Sequence, residues 1–338
     1  MHMADALLSP VTGAIMAAAS VGAMGYSAFK IKQDDLSEKK VPIMAVTGAF
    51  VFAAQMINFT IPGTGSSGHI GGGILLAAML GGFPSLLTIA AVLIIQALFF
   101  ADGGLLALGC NIFNMGVIPC LLVYPLLFRF ILRKGVTYKR IALASVLSVV
   151  IALQLGAFSV VLETLASGIT VLPFGAFVLM MQPIHLAIGV VEGIVTAAVL
   201  CFVYQMRPEL IDSTIKGEGL GSGVTMKKLL LTLGVLTIVT GGVLSLFASA
   251  YPDGLEWSME RVAGTAELQT SDPVFEQAAA LQEKTAFMPD YDFAKPTISG
   301  ISGTTAAGLI GGGLTFLLAG VTGFVISHIK KKKQKISV

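Results

Sequence analysis

Nine apolar runs, most of them long enough to cross a bilayer, punctuate the chain at residues 6–29, 42–60, 69–82, 84–101, 105–130, 141–167, 173–206, 228–250 and 298–327. Polar and charged residues collect between the runs and are scarce within them. The pattern predicts an all-α, polytopic membrane helical bundle of about seven plus two transmembrane helices. The seven fall in residues 1–206 and the two in 228–338, with the polar, glycine-rich stretch 207–227 reading as a linker. The third run is short and rich in glycine. It is expected to be broken or re-entrant, which is allowed only where protein or a cavity covers the backbone.

Composition sharpens this picture. Of 338 residues, 55% are hydrophobic and 12% charged, against about 25% charged in an average soluble domain. A soluble fold could not hide that much apolar surface, so lipid is the solvent for much of the chain. The net charge of +2 and the basic clusters flanking apolar runs give no nucleic-acid surface. Those clusters set an orientation by the positive-inside rule. Lys30, Lys32, Lys39 and Lys40 fall on one side, as do Arg129, Arg133, Lys134, Lys139 and Arg140. Arg207, Lys216, Lys227, Lys228 and the tail lysines 330–333 and 335 join them. This places the N-terminus outside and the C-terminus inside. The loop 251–297 is then external and acidic, with nine carboxylates against three bases; it is expected either to be partly disordered or to dock on the first part. Cys110, Cys120 and Cys201 all lie in apolar runs without metal-ligand spacing, and read as small buried residues. The 14 scattered methionines read as packing residues.

Four histidines are present, His2, His69, His185 and His328. A free Met1 amine, the His2 amide nitrogen and the His2 imidazole can bind one metal ion together. The first pair closes a five-membered ring and the second, through Nδ1, a six-membered one. A fourth nitrogen completes a square-planar set of the kind favoured by Ni(II) or Cu(II). The start MHMADALLSP lacks a basic leader region, and the bulky second residue protects the initiator methionine, so Met1 is expected to be retained. The plain alternative is a frayed terminal histidine. His69 lies in IPGTGSSGHIGGG, predicted to be on the same outer side. That loop suits a pocket admitting a chain terminus, or equally a glycine run for helix packing. Within the spans, Asp102 in FFADGG reads as a helix cap and Glu163 lies near an outer end. His185 and Glu192 lie seven residues apart on one helix face, as a polar contact or as a path. No GxxxxGK[ST] and no HExxH occurs, so the chain supplies neither its own ATPase nor a zinc-protease site. A self-sufficient proton-coupled transporter with His185 and Glu192 as relay is the competing reading. A membrane enzyme has no catalytic constellation to stand on.

The start MHMADALLSP resembles the NikM/CbiM substrate-binding components of energy-coupling factor (ECF) transporters for nickel and cobalt. The likeness continues through PGTGSSGHIGGGILLAAMLGG, QALFFADGGLLALGCNIFNMG and PIHLAIGVVEG, covering about 1–206. YPDGLEWS at 251–258, between two spans, resembles the accessory NikN/CbiN subunit. The resemblance implies metal ligation by Met1, His2 and His69, with Ni(2+) or Co(2+) as transported substrate and no tightly bound organic cofactor. It implies a transmembrane coupling protein (NikQ/CbiQ-like) and cytoplasmic ABC ATPases (NikO/CbiO-like) as partners, in the inner membrane of a prokaryote. It argues against copper, so nickel is where geometry and resemblance meet. The second part is expected to assist metal loading or assembly.

Overall fold

The computed structural model describes residues 1–31, 40–221, 225–268, 273–293 and 302–336, without the side chains of 331 and 333–336. Lys32, Lys39, Asp272, Lys295 and part of the linker therefore lie outside the described residues, as do the side chains of the tail lysines at 331, 333 and 335.

A single helical turn, Asp5–Leu7, leads into α1 (Pro10–Lys30), whose N-cap Ser9 side chain accepts the Thr12 N–H. There follow α2 (Lys40–Gln55), a hairpin of β1 (Phe59–Ile61) and β2 (Ser66–Gly68), α3 (Gly73–Leu80) and α4 (Gly82–Phe100). Next come α5 (Leu108–Leu132), α6 (Tyr138–Ala166), α7 (Phe174–Met206) and the short α8 (Pro208–Lys216). The second part contributes α9 (Lys227–Gly242), α10 (Gly254–Ala263), α11 (Pro273–Thr285) and α12 (Gly303–Ile336). Over Phe113–Phe128, α5 widens to i→i+5 hydrogen bonding around Pro119 and Pro125, whose missing N–H groups break the regular ladder.

Among the described residues seven helices are long and apolar enough to span a membrane: α1, α4, α5, α6, α7, α9 with its terminal turn, and α12. Two of the nine runs differ. The second ends as a helix at Gln55, after 16 residues, and turns into the hairpin. The third is not a span. It is an eight-residue helix, α3, cut from α4 by Gly81, whose φ of +88° only glycine adopts without strain. Both α3 and most of α4 are buried by protein, the condition under which a broken segment survives at membrane depth.

Close helix approach organises the rest. A Cβ at Gly193 would stand 2.8 Å from the Val146 Cα, so α6 and α7 meet nearly backbone to backbone. Gly241 and Gly308 bring α9 against α12 in the same way, and α12 lies along α2. The acidic loop docks in its described portions. Trp257 Nε1 donates to the Thr64 carbonyl at 2.9 Å, and Leu255 and Met259 of α10 are buried with Phe177 and Met181 of α7.

Candidate metal centre

The chain start is held, not frayed. The Met3 N–H donates to Asn111 Oδ1 at 2.8 Å, and Asn111 Nδ2 donates back to the Met3 carbonyl at 3.2 Å. The Gly104 N–H reaches the same carbonyl at 2.9 Å, and the Ala107 N–H donates to Asp5 Oδ1 at 2.9 Å. A Cβ on Gly156 would stand 3.1 Å from Met1 Cε, so the absence of a side chain there admits the methionine. These contacts deliver Met1 and His2 into the bundle between the α4–α5 loop and α6.

His69 arrives from the other side, in the loop between β2 and α3. Gly72, at φ +79°, turns that loop into α3, and its N–H donates to Glu192 Oε1 of α7 at 2.9 Å. A Cβ on Gly72 would come within 2.5 Å of Val51 Cγ1, so no other residue fits. The hairpin before it is tied to the second part: the Ser67 N–H donates to the Pro252 carbonyl at 2.8 Å and the Ser67 hydroxyl to the Tyr251 carbonyl at 2.7 Å.

The hydrogen-bond network dictates where the imidazole lone pairs point. Gln55 Nε2 donates to the Gly71 carbonyl at 3.0 Å, so Gln55 Oε1 must accept, and it accepts Gln96 Nε2 at 2.8 Å. Gln96 Oε1 is therefore the group facing His2 Nε2, at 3.2 Å, and only an Nε2–H satisfies it. A neutral His2 then carries its lone pair on Nδ1. His69 Nδ1 lies 3.1 Å from the Ile70 carbonyl, which needs an N–H, so the His69 lone pair sits on Nε2. That Nε2 is 3.3 Å from the Met1 amine nitrogen, and the two rings lie nearly parallel with centroids 5.3 Å apart. His2 Nδ1, with its lone pair, faces Asp102 Oδ1 at 3.2 Å. Two acceptors at this distance repel unless something positive lies between or beside them.

The charges agree. Burial, then the nearby Met1 ammonium, lowers both histidines to a pKa of about 3, so both rings are neutral at physiological pH. Burial raises the Asp102 carboxyl, opposed by the Tyr291 hydroxyl, which donates to Oδ2. Burial would also raise Asp253, but the Met1 ammonium, with which it forms a close ion pair, and the His69 ring outweigh this and hold it well below the usual carboxylate range. Asp253 belongs to the second part. Its other oxygen accepts the Leu255 and Glu256 N–H groups while Glu256 returns a bond to the Asp253 N–H, capping α10. An open cavity of about 440 Å³, lined by His2, His69, Asp102, Asp253, Glu256 and Asp290 among others, leads to this point. A chamber of about 40 Å³ lies against its inner side, reached by Met1, His69, Asn114, His185 and Glu192. Among the described residues no group of three or more His, Cys, Asp or Glu side chains is arranged to hold a metal ion, so any chelate at this point would need main-chain nitrogen.

Met1, His2 and His69 are thus brought together, and His328, stacked on Phe324 of α12, is not among them. Asp102 is not a helix cap: its carboxylate accepts the Tyr291 hydroxyl on one oxygen and faces His2 Nδ1 with the other. His185 Nδ1 donates to the Met181 carbonyl at 2.8 Å, and Glu192 holds Gly72; both make structural polar contacts. Glu163 accepts Asn114 Nδ2 at 2.8 Å. The roles of Asp253, Gln96, Gln55 and Asn111 were not foreseen. Each carried a signal: Asp253 and Glu256 have the D-x-x-E spacing of a capping box, and Gln55, Gln96 and Asn111 are amides in otherwise apolar helices.

Residues 2–210 match the CbiM family, described as the cobalt uptake substrate-specific transmembrane region, and residues 227–328 match the PDGLE domain. The fused nickel transport protein NikMN of Rhodobacter capsulatus is 33% identical over 62% of this chain and 64% of its own. A relative in Archaeoglobus fulgidus whose name marks it as a NikMN fusion is 28% identical over 92% of this chain and 94% of its own. The crystal structure of a truncated transition metal transporter aligns with a TM-score of 0.50 at 29% identity, over 61% of this chain and 99% of that one. A multi-pass membrane transport component and not an enzyme, the chain belongs to the CbiM family and carries a PDGLE domain on its C-terminal side.

Proposed function

We propose that this protein is the substrate-capture component of an ECF-type importer, binding a divalent metal ion at the outer membrane face. Nickel is the preferred substrate and cobalt the alternative. The ligands are the Met1 amine, the His2 amide nitrogen and Nδ1, and His69 Nε2. Residues 1–206 form the metal-binding component, and 228–338 the accessory part that completes the site through Asp253. The observation that carries this reading is that the His69 Nε2 lone pair, fixed by the Ile70 carbonyl, meets the Met1 amine beside a His2 ring whose Nδ1 is left unprotonated by its Gln96 contact. Relatives named as nickel and as cobalt transport proteins support the choice of metals, and four nitrogens in a plane suit Ni(II). Transport energy comes from a membrane coupling protein with ABC ATPases, since the sequence has no phosphate-binding loop of its own. The relay reading is not favoured, because His185 Nδ1 and Glu192 Oε1 are both engaged in holding backbone.

Loading leaves the charge facing Asp253 unchanged. The empty site holds one ammonium; the loaded site holds a divalent ion and one deprotonated amide, again a single net positive charge. Asp253 therefore matches both states. The test is calorimetric titration of Ni(II) into the full chain, beside chains with one residue added before Met1, with His2→Ala and with His69→Ala. All three changes should abolish tight binding, and undiminished affinity in any of them would remove that ligand from the set.

A further inference from the structure

The end of the bundle away from Met1 holds a second cavity, of about 330 Å³, at the α3–α4 break. It lies where α1 and α5 finish and α2 begins. Four basic side chains from four separate elements line it: Lys30, Lys40, Arg129 and Lys216. Among the described residues no acidic one does. The remaining wall is Leu80, Gly81, Gly82, Phe83 and Pro84 on one side and Tyr124, Thr214 and Gly217 on the other.

The cavity is built, not incidental. The Arg129 Nε donates to the Ile215 carbonyl at 2.6 Å, which fixes the guanidinium at the rim, and its Nη2 lies 3.3 Å from where a Cβ on Gly217 would stand. Thr214 Oγ1 donates to the Met79 carbonyl at 3.2 Å, tying α8 across the break. Among the described residues Lys30, Arg129 and Lys216 form no ion pair, while Lys40 has a partner of its own. Like charges gathered around one concavity repel each other, and an anion placed among them removes that cost.

We infer that this cavity binds a phosphate-bearing anion, and that the headgroup of an anionic phospholipid is its source. The guanidinium fork and two or three ammonium groups match a phosphate. The volume holds a phosphate with its glycerol, not just a lone ion, and Leu80, Phe83 and Pro84 offer that glycerol an apolar flank. Basic pockets between membrane helices take such headgroups, and each cation near the membrane surface is worth about fivefold in affinity. The inference does not depend on the metal site, which occupies the other end of the bundle.

The full chain in nanodiscs of phosphatidylcholine with or without phosphatidylglycerol provides the test, read by native mass spectrometry for retained lipid. Phosphatidylglycerol should be retained over phosphatidylcholine by the unaltered chain. The double variant Lys30→Gln/Lys216→Gln should lose about thirtyfold in that preference, and Lys30→Arg/Lys216→Arg should keep it. Ni(II) titration of the same samples should be unchanged, which separates loss of this site from loss of fold. If inorganic phosphate at millimolar concentration displaces the retained lipid, the site takes the free anion as well and the phosphate chemistry stands. Equal retention of both lipids by the unaltered chain would overturn the inference. So would a glutamine variant with undiminished preference, which would leave the cavity to acidic side chains of a partner protein.

Discussion

Lowering the pH should weaken metal binding with a slope set by the proton count of the site. In the proposed chelate one proton leaves the Met1 ammonium, which faces Asp253 in the empty site, and one leaves the His2 amide. The histidines release none, because burial already holds both at a pKa of about 3. Two protons released per ion bound means that acid competes with metal, so affinity falls as pH falls. The apparent constant changes tenfold per proton per pH unit, hence about a hundredfold, or about 2.7 kcal/mol, between pH 7.5 and 6.5. Calorimetry of Ni(II) binding in several buffers of different ionisation enthalpy measures the count directly, since the observed heat varies with buffer enthalpy in proportion to protons released. A count near four would mean that the empty site carries charged imidazoles, contradicting the burial argument. A count near one would mean that the amide stays protonated, and the planar four-nitrogen set would be wrong.

Other changes separate the roles of neighbouring groups. Gln96→Leu removes the acceptor that fixes the His2 tautomer, and should cost about 10–100-fold in Ni(II) affinity; it also strips the buried Gln55 Oε1 of its donor, at about 1–3 kcal/mol of stability by thermal melt. Asp253→Asn keeps the α10 cap and removes the counter-charge of Met1. It should free the terminus by about 2 kcal/mol, read as faster labelling by an amine-reactive reagent. Gly72→Ala puts a Cβ into Val51 at positive φ, and should destabilise the chain by more than about 2 kcal/mol and abolish binding together, by thermal melt and titration. His328→Ala should change neither, since that ring stacks on Phe324 outside the site.

The helical spans were legible because lipid imposes length and apolarity on each segment independently, so 105–130 and 173–206 could be read without knowing their neighbours. The run 69–82 could not. Hydropathy averages over Gly81, and it is the backbone conformation at that one residue that turns a nominal span into α3 plus the start of α4. At the site, Met1, His2 and His69 stood out because histidine is rare here and the chelate rings are a property of local chain geometry. Asp102 was misread because a carboxylate at a helix end usually serves that helix, whereas this one serves a side chain some hundred residues earlier in the chain. Asp253 depends on a contact spanning 252 positions, which no local pattern encodes.

In the proposed site that last contact acts as a coincidence detector. The terminal amine belongs to the first element of the chain and its counter-ion to the start of α10, after all seven helices of the first part have been made. A chain whose second part is missing or misplaced would leave a cation in a half-closed cleft with nothing opposite it, and the terminus would prefer water. Under the proposed ligation, readiness to take up an ion is thereby tied to completed assembly: a half-built molecule would withhold its own chelator.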